Sequence, residues 1–302
     1  MGIGGNDMGL MSGISAPQLT PFRQDGSIDY DTYTALSAWI AGKRVKGIFV
    51  CGTTGEFANL TIAERKQLLL CAREGAGSGE RLMFNVTALN LEDVAQLMDW
   101  AKAHGADCLS VTPPYYHSYD AKALIAYFTT IATIAEGMPV YLYNIPGMVK
   151  NAITPAILAA AAQCDNIVGV KDSCMDHQNL LEYMDAVKKP GFEFITGNDA
   201  QVITALDAGA CGGVIAMAGV YPELCQSIVE RYEQGKREEA LCAQRKVMGL
   251  RRIARSVMPV MAHKEMLRLQ GFDMGVARFP FRELTREEKA AVRRGVEELG
   301  LL

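Results

Sequence analysis

The sequence holds no surplus of positive charge for a nucleic acid: 30 Lys and Arg stand against 34 Asp and Glu, for a net charge of −4. Its densest basic cluster, Arg251-Arg252 with Arg255, falls in a helical pattern and reads as a solvated face. It also lacks an apolar run long enough to cross a bilayer. The first residues, "MGIGGNDMGLMSG", have no basic segment leading into an apolar one, so no export signal is expected. There are 8 cysteines but no C-x-x-C pair. Cys51, Cys108, Cys164, Cys174 and Cys211 lie in or beside apolar segments, as small hydrophobes kept reduced would. A cytoplasmic protein without disulfides is the expectation. The 4 histidines, His104, His117, His177 and His263, show neither H-x-H nor H-E-x-x-H spacing, so no metal is expected. No G-x-G-x-x-G follows the first apolar run, which counts against an open dinucleotide-binding sheet.

What is present is alternation. Hydrophobic content of 49% over 302 residues is enough for a sizeable core. Short runs rich in Val, Ile, Phe and Tyr recur at 14–20, 45–52, 81–88, 107–113, 139–144, 166–171, 192–197 and 212–218. Each is bounded by Gly, Pro, Asn or Asp, as strands are. Between them stand helix starts: the Thr61…Glu64 capping box, Thr154 ahead of Pro155, and Leu91–Met98 with apolar residues on one face. Eight strand-then-helix units at this spacing predict a (β/α)8 barrel. After about residue 235 the strand signals stop and three helical patterns remain. The domain reading is therefore a barrel over 1–235, with 1–12 a flexible lead-in, and a helical extension over 236–302 packed on it.

In such barrels, chemistry sits at the C-terminal ends of the strands. The second run ends in Cys51-Gly52-Thr53-Thr54-Gly55-Glu56, the fourth in Pro113-Pro114-Tyr115-Tyr116, the fifth in Tyr143-Asn144 and the sixth in Lys171. Two glycines around two threonines form a turn with accessible amides, suited to a small anion such as a carboxylate; an ordinary capping turn has the same composition. A lysine among hydrophobic walls has its ammonium form disfavoured, and its free amine can form a Schiff base with a carbonyl. A lysine at a strand end can equally reach solvent, paired with Asp172. Tyr143, next door, can carry protons or simply pack as a half-buried aromatic.

Taken together, G-T-T-G-E, P-Y-Y, Y-N-I-P and V-G-V-K-D, with the later Arg278-x-Pro280-x-x-x-Leu284, resemble the dihydrodipicolinate synthase and N-acetylneuraminate lyase superfamily of pyruvate-dependent class I aldolases. The resemblance implies that Lys171 forms the Schiff base with a 2-keto acid and that Tyr143 is the acid/base. It implies that Thr53 and Thr54 hold the pyruvyl carboxylate, with Gly52, Gly213, Ile215 and Met148 also lining the substrate. Tyr116 would match the tyrosine that such enzymes contribute across a tight dimer interface, linked through Thr53 to Tyr143 in a proton relay. The resemblance further implies pyruvate as substrate, a homotetramer built as a dimer of dimers, and no cofactor or metal.

One departure bears on specificity. The family's dihydrodipicolinate-forming members place an arginine two residues after the proline of Y-N-x-P, and here that residue is Met148. A thioether cannot hold a carboxylate as a guanidinium does, a loss of about 1.5–3 kcal/mol. With Lys171-Asp172-Ser173, this shifts the expected substrate from aspartate semialdehyde to a 2-keto-3-deoxy sugar acid or a related hydroxylated 2-keto acid. Two other classes stay open: a phosphate-binding barrel isomerase using the glycine-rich 209–219 segment, and a non-catalytic 2-keto-acid-binding protein.

Overall fold

A computed structural model describes residues 9–302 of the chain. Eight parallel strands close a barrel in chain order, β1 pairing with both β2 and β8. They are β1 (Gly13–Pro17), β2 (Gly47–Val50), β3 (Arg81–Asn85) and β4 (Cys108–Val111), followed by β5 (Val140–Asn144), β6 (Ile167–Asp172), β7 (Glu193–Thr196) and β8 (Gly212–Val214). The helices between and after them are α1 (Tyr30–Ala41), α2 (Ile62–Ala76), α3 (Leu91–Ala103) and α4 (Ala121–Ile134), then α5 (Pro155–Ala161), α6 (His177–Ala186), α7 (Val202–Ala208) and α8 (Pro222–Glu233). Three more complete the chain: α9 (Arg237–Arg255), α10 (Pro259–Leu269) and α11 (Arg286–Glu298). This is the (β/α)8 barrel with C-terminal helices that the alternation predicts.

Local chemistry accounts for the helix boundaries. Thr61 Oγ1 accepts the Glu64 amide at 3.2 Å while Glu64 Oε2 accepts the Thr61 amide at 2.8 Å, closing the capping box at the start of α2. Thr154 caps α5 with Pro155 at its first position. In α3 the buried residues are Val94, Leu97, Met98 and Ala101, the one-face spacing of an amphipathic helix.

Strand alternation separates two cores. One side of each strand packs against the helices; the other fills the barrel with Phe49, Met83, Cys108, Tyr141, Tyr143, Ile195 and Val214. The helix-side core runs without a break into α9, α10 and α11 through Val247, Met261, Val292 and Val296, so the trailing helices share the barrel's core. Gly235, with φ at +73°, makes the turn between α8 and α9.

Of the lead-in expected over 1–12, residues 1–8 lie outside the described residues. Met11 is fully buried and its amide donates to Glu193 Oε2 at 3.0 Å. Its apolar side chain plugs the N-terminal end of the barrel, and that burial holds the segment in place. Among the described residues no helix is long and apolar enough to cross a membrane.

Candidate active site

The site is assembled at the C-terminal ends of the strands. Register sets Tyr143 of β5 opposite Lys171 of β6, and Lys171 opposite Ile195 of β7. Ile195 and Tyr143 face the barrel interior, so the lysine side chain rises from the same inner face. Its Nζ lies 4.0 Å from the centroid of the Tyr143 ring and 4.5 Å from that of Phe49. The residue is only 4% exposed. Burial lowers its pKa below the ordinary lysine value, while Tyr143 and Asp199 pull the other way without prevailing. The amine is thereby made available as a nucleophile.

Asp172 is not its partner. That carboxylate accepts from Asn144 Nδ2 at 2.8 Å, Asn179 Nδ2 at 2.9 Å and the Cys174 amide at 3.0 Å. Successive strand residues point to opposite faces, so Asp172 ties strand ends together outside the barrel while Lys171 points inward. The solvent-reaching, Asp172-paired lysine is set aside on this geometry.

The loop after β2 brings up the threonines. Thr53 Oγ1 and the Tyr143 hydroxyl are 3.2 Å apart and hydrogen-bonded. The loop is tightly wound: Cys51 and Glu56 have φ of +55° and +62°, and a Cβ on Gly55 would meet the Gln18 carbonyl oxygen at 2.8 Å. The Thr53 carbonyl is taken by the Glu56 amide at 3.1 Å, the Gly52 carbonyl by the Phe57 amide at 3.4 Å and the Gly55 carbonyl by the Thr20 hydroxyl at 2.8 Å. Among the described residues, the amides of Thr53 and Thr54 donate to no other group of the chain. Amides left free in such a turn are the kind of group that can bind a small anion.

The loop is anchored from below. Glu56 Oε1 meets Lys264 Nζ of α10 at 2.6 Å, and both side chains are fully buried. Apart from each other, neither group has a hydrogen-bonding partner among the described residues. The ammonium also lies over the face of Phe22, whose ring is flanked as well by the Arg278 guanidinium, both at 4.4 Å from the centroid. A C-terminal helix thus holds the threonine loop in place.

Two site residues were not signalled by the motifs. Gly197, just past β7, has no room for a side chain: a Cβ there would lie 1.9 Å from Ser173 Oγ and 3.1 Å from Lys171 Cε. Asp199, buried beside α7, accepts the Met217 amide at 2.8 Å and acts electrostatically on Lys171. The signal for both was the strand-ending "ITGND" next to the lysine strand, but which neighbouring strand end matters is set by barrel closure.

Other sequence-selected positions are placed differently from the lysine cluster. Met148 lies on the loop after β5 and is 72% exposed. Tyr116 is also 72% exposed, its ring edge-on to His117 at 5.0 Å, and within one chain it does not reach Thr53. The three-residue relay is thus represented here by the Thr53–Tyr143 pair alone. Ile215 belongs to the helix-side core, whereas its neighbour Val214 faces the barrel, so the Ile215 side chain points away from the site. A Cβ on Gly213 would lie 3.2 Å from Ile215 Cγ2 and 3.3 Å from Thr196 Cγ2. Strand alternation is why Val214 and Ile215 face opposite ways.

Comparison with known proteins agrees with this geometry. The dihydrodipicolinate synthetase family pattern matches residues 10–299. The chain belongs to that family. A DapA-like lyase of Halobacterium salinarum is 33% identical over 99% of this chain and 97% of its own length. The 4-hydroxy-tetrahydrodipicolinate synthase 1 of Streptomyces coelicolor is 31% identical over 93% and 92% of the two chains. Among solved structures, YagE of E. coli K12, a prophage protein of the dihydrodipicolinic acid synthase family crystallised with pyruvate, superposes with a TM-score of 0.92 at 27% identity. It spans 97% of this chain and 100% of that one. The protein is accordingly a carbon–carbon lyase of the class I aldolase kind.

Proposed function

We propose that the protein cleaves a 4-hydroxy-2-keto acid, the class that includes 2-keto-3-deoxy sugar acids, by Schiff-base chemistry with release of pyruvate. The observation that carries this reading is the buried amine of Lys171, its pKa lowered by burial, 4.0 Å from the Tyr143 ring whose hydroxyl bonds Thr53. In this reading the substrate carboxylate sits on the amides and hydroxyls of Thr53 and Thr54. Lys171 adds to the keto carbon, Tyr143 passes the protons, and loss of water leaves an iminium. The C3–C4 bond then breaks: the C4 hydroxyl gives up its proton to Tyr143, C4 leaves as an aldehyde, and the electron pair stays on C3 as an enamine. Protonation at C3 and addition of water release pyruvate and the free amine. Ser173 Oγ, beside Lys171 Cε across Gly197, is positioned to bind the substrate's hydroxyl.

Met148 stands where a carboxylate-gripping arginine would favour aspartate semialdehyde, and this supports the hydroxylated substrate. The named activity of the Streptomyces relative keeps aspartate semialdehyde as the second reading. We further propose a homotetramer in which a tight dimer covers Leu89, Tyr116 and Tyr119, which are 64%, 72% and 44% exposed on one chain. That contact brings the partner's tyrosine to Thr53.

Borohydride reduction in the presence of pyruvate, followed by peptide mass analysis, tests the core of the reading. A reduced pyruvyl adduct on Lys171, absent in K171M, is expected. Unmodified Lys171 in folded protein, under conditions that trap a known class I aldolase, removes it. Turnover of aspartate semialdehyde without turnover of any hydroxylated 2-keto acid selects the second reading.

A further inference from the structure

The pairing of β5 with β6 is not continuous. Val140 stands opposite Ile167, but Tyr141, the next residue, stands opposite Gly169, so Val168 is an extra residue without a counterpart on β5. The consequence reaches the catalytic level. Carried upward unbroken, the first register would set Tyr143 opposite Val170 and Asn144 opposite Lys171. After the extra residue, Tyr143 stands opposite Lys171 and Asn144 opposite Asp172. A shift of one residue exchanges the faces to which side chains point, so this irregularity decides that the amine and the phenol share the barrel interior. It leaves no room for a side chain at Gly169, where a Cβ would lie 2.5 Å from the Tyr141 ring and 2.7 Å from the Glu193 carbonyl oxygen.

Above the irregularity the register is held by side chains. Asn144 Nδ2 donates to Asp172 Oδ1 at 2.8 Å, directly behind the Tyr143–Lys171 pair. Asn144 Oδ1 accepts the Ile153 amide at 3.0 Å, and the Ile153 carbonyl accepts the Tyr183 hydroxyl of α6. Asn179, one turn earlier on α6, donates to Asp172 Oδ2 at 2.9 Å. These contacts close a ring through β5, β6 and α6, in which Asn144 and Asp172 are 1% and 4% exposed.

From this arrangement we infer that Asp172, acting with Asn144, is a positioning residue of the reaction: the ring holds the register in which the Lys171 amine meets Tyr143. The inference rests on the Schiff-base reading above and adds to it the device that sets the geometry of its two central groups. The carboxylate is chemically required in this place. It accepts from three donors, Asn144 Nδ2, Asn179 Nδ2 and the Cys174 amide. An ionised carboxylate only accepts and so satisfies all three, whereas an amide at 172 turns an N–H against one of them. Asp172 touches no reacting atom, and its effect passes through Tyr143 and Lys171, the residues that precede Asn144 and Asp172 on the two strands.

The test uses pyruvate alone and follows exchange of its methyl protons in heavy water by proton NMR. The iminium on Lys171 loses a C3 proton to a base, becomes an enamine and takes back a deuteron, so no second substrate is needed. D172N is expected to lower kcat for exchange about tenfold or more through misplacement of the pair. KM for pyruvate is expected to change less than about threefold, because the threonine loop lies outside the ring. D172N/N179D, which swaps amide and carboxylate across one hydrogen bond, restores kcat to within about threefold of the unmodified protein. In a Y143F background D172N lowers kcat less than about twofold, since a residue acting through Tyr143 has nothing left to position. N179A, at a partly exposed position of α6, lowers kcat about threefold and carries the test if D172N does not fold. An unchanged kcat in N179A, a folded D172N as fast as the unmodified protein, a swap no faster than D172N, or an equal fold loss in the Y143F background overturns the inference. Borohydride trapping separates the two levels. A Lys171 adduct in the unmodified protein with any of those outcomes removes only the positioning role, whereas neither adduct nor exchange removes the Schiff-base reading and this inference together.

Discussion

The buried pair Glu56–Lys264 allows the role of the C-terminal helices to be measured. K264M replaces the ammonium with an uncharged side chain of similar length and leaves Glu56 without its one partner among the described residues. At 2.6 Å and an effective dielectric constant of about 20, the attraction removed is about 6 kcal/mol before the desolvation of the lysine is credited back. Breaking one side of a buried pair accordingly destabilises by about 3–5 kcal/mol. The loss has a definite pH signature. Burial already raises the Glu56 pKa above the ordinary glutamate value, and Lys264 is the largest influence opposing that rise. Without Lys264 the folded-state pKa rises further. A carboxyl raised in the folded state contributes stability that is fully present below its unfolded value, about 4.3, and is lost as pH rises through the folded one. The deficit of K264M is therefore smallest in acid and grows toward neutrality. Urea unfolding at pH 5 and pH 8 measures it, with E56Q/K264M as the variant that removes both charges and recovers most of the loss. A K264M deficit below about 1 kcal/mol at pH 8, or one equal at the two pH values, would refute the reasoning, because an isolated buried carboxylate cannot be both costly and insensitive to protonation. Because Glu56 closes the loop that carries Thr53, kcat is expected to fall with it.

The pH dependence of imine formation is a second expectation. Burial lowers the Lys171 pKa below 10.5, so the rate of pyruvate trapping should rise with pH through an apparent pKa under that value. The same shift makes the unfolded chain bind the proton more readily, so this lysine lowers stability at neutral pH and the penalty fades as pH approaches the unfolded value. K171M should melt higher than the unmodified protein at pH 7, and an equal or lower Tm counts against a buried amine. At the neighbouring hydroxyls, Y143F should lower kcat by about 10²–10³ through loss of proton transfer. T53V, which removes only the hydroxyl that bonds Tyr143, should cost about tenfold in kcat with the trapping yield retained. An unchanged kcat in Y143F would show that Tyr143 acts by packing alone.

Much of the barrel is local in origin and was readable from the chain. The runs ending at Val50, Val111, Asn144 and Asp172 stop at Gly, Pro or polar residues, and the helices after them start at caps the residues themselves supply, as Thr61 and Glu64 do. Lys171 could be placed at a strand end because an ammonium closing an apolar run is conspicuous in one dimension. Side-chain direction at β8 was not readable: Val214 and Ile215 sit in an apolar stretch with no polar alternation to mark a face, yet Val214 faces the barrel and Ile215 packs against the helices.

By itself the sequence determined the order of the elements and singled out Lys171 and the hydroxyls proposed to serve it, because each depends on neighbours a few residues away: alternation, capping and turn chemistry are short-range. Tertiary structure decided what surrounds them. Closing the barrel set Lys171 over Tyr143 and Phe49, packed Gly197 against Ser173, and brought α10 under Glu56. The low pKa of the lysine comes from exclusion of water, and water is excluded only when segments distant in the chain are packed together.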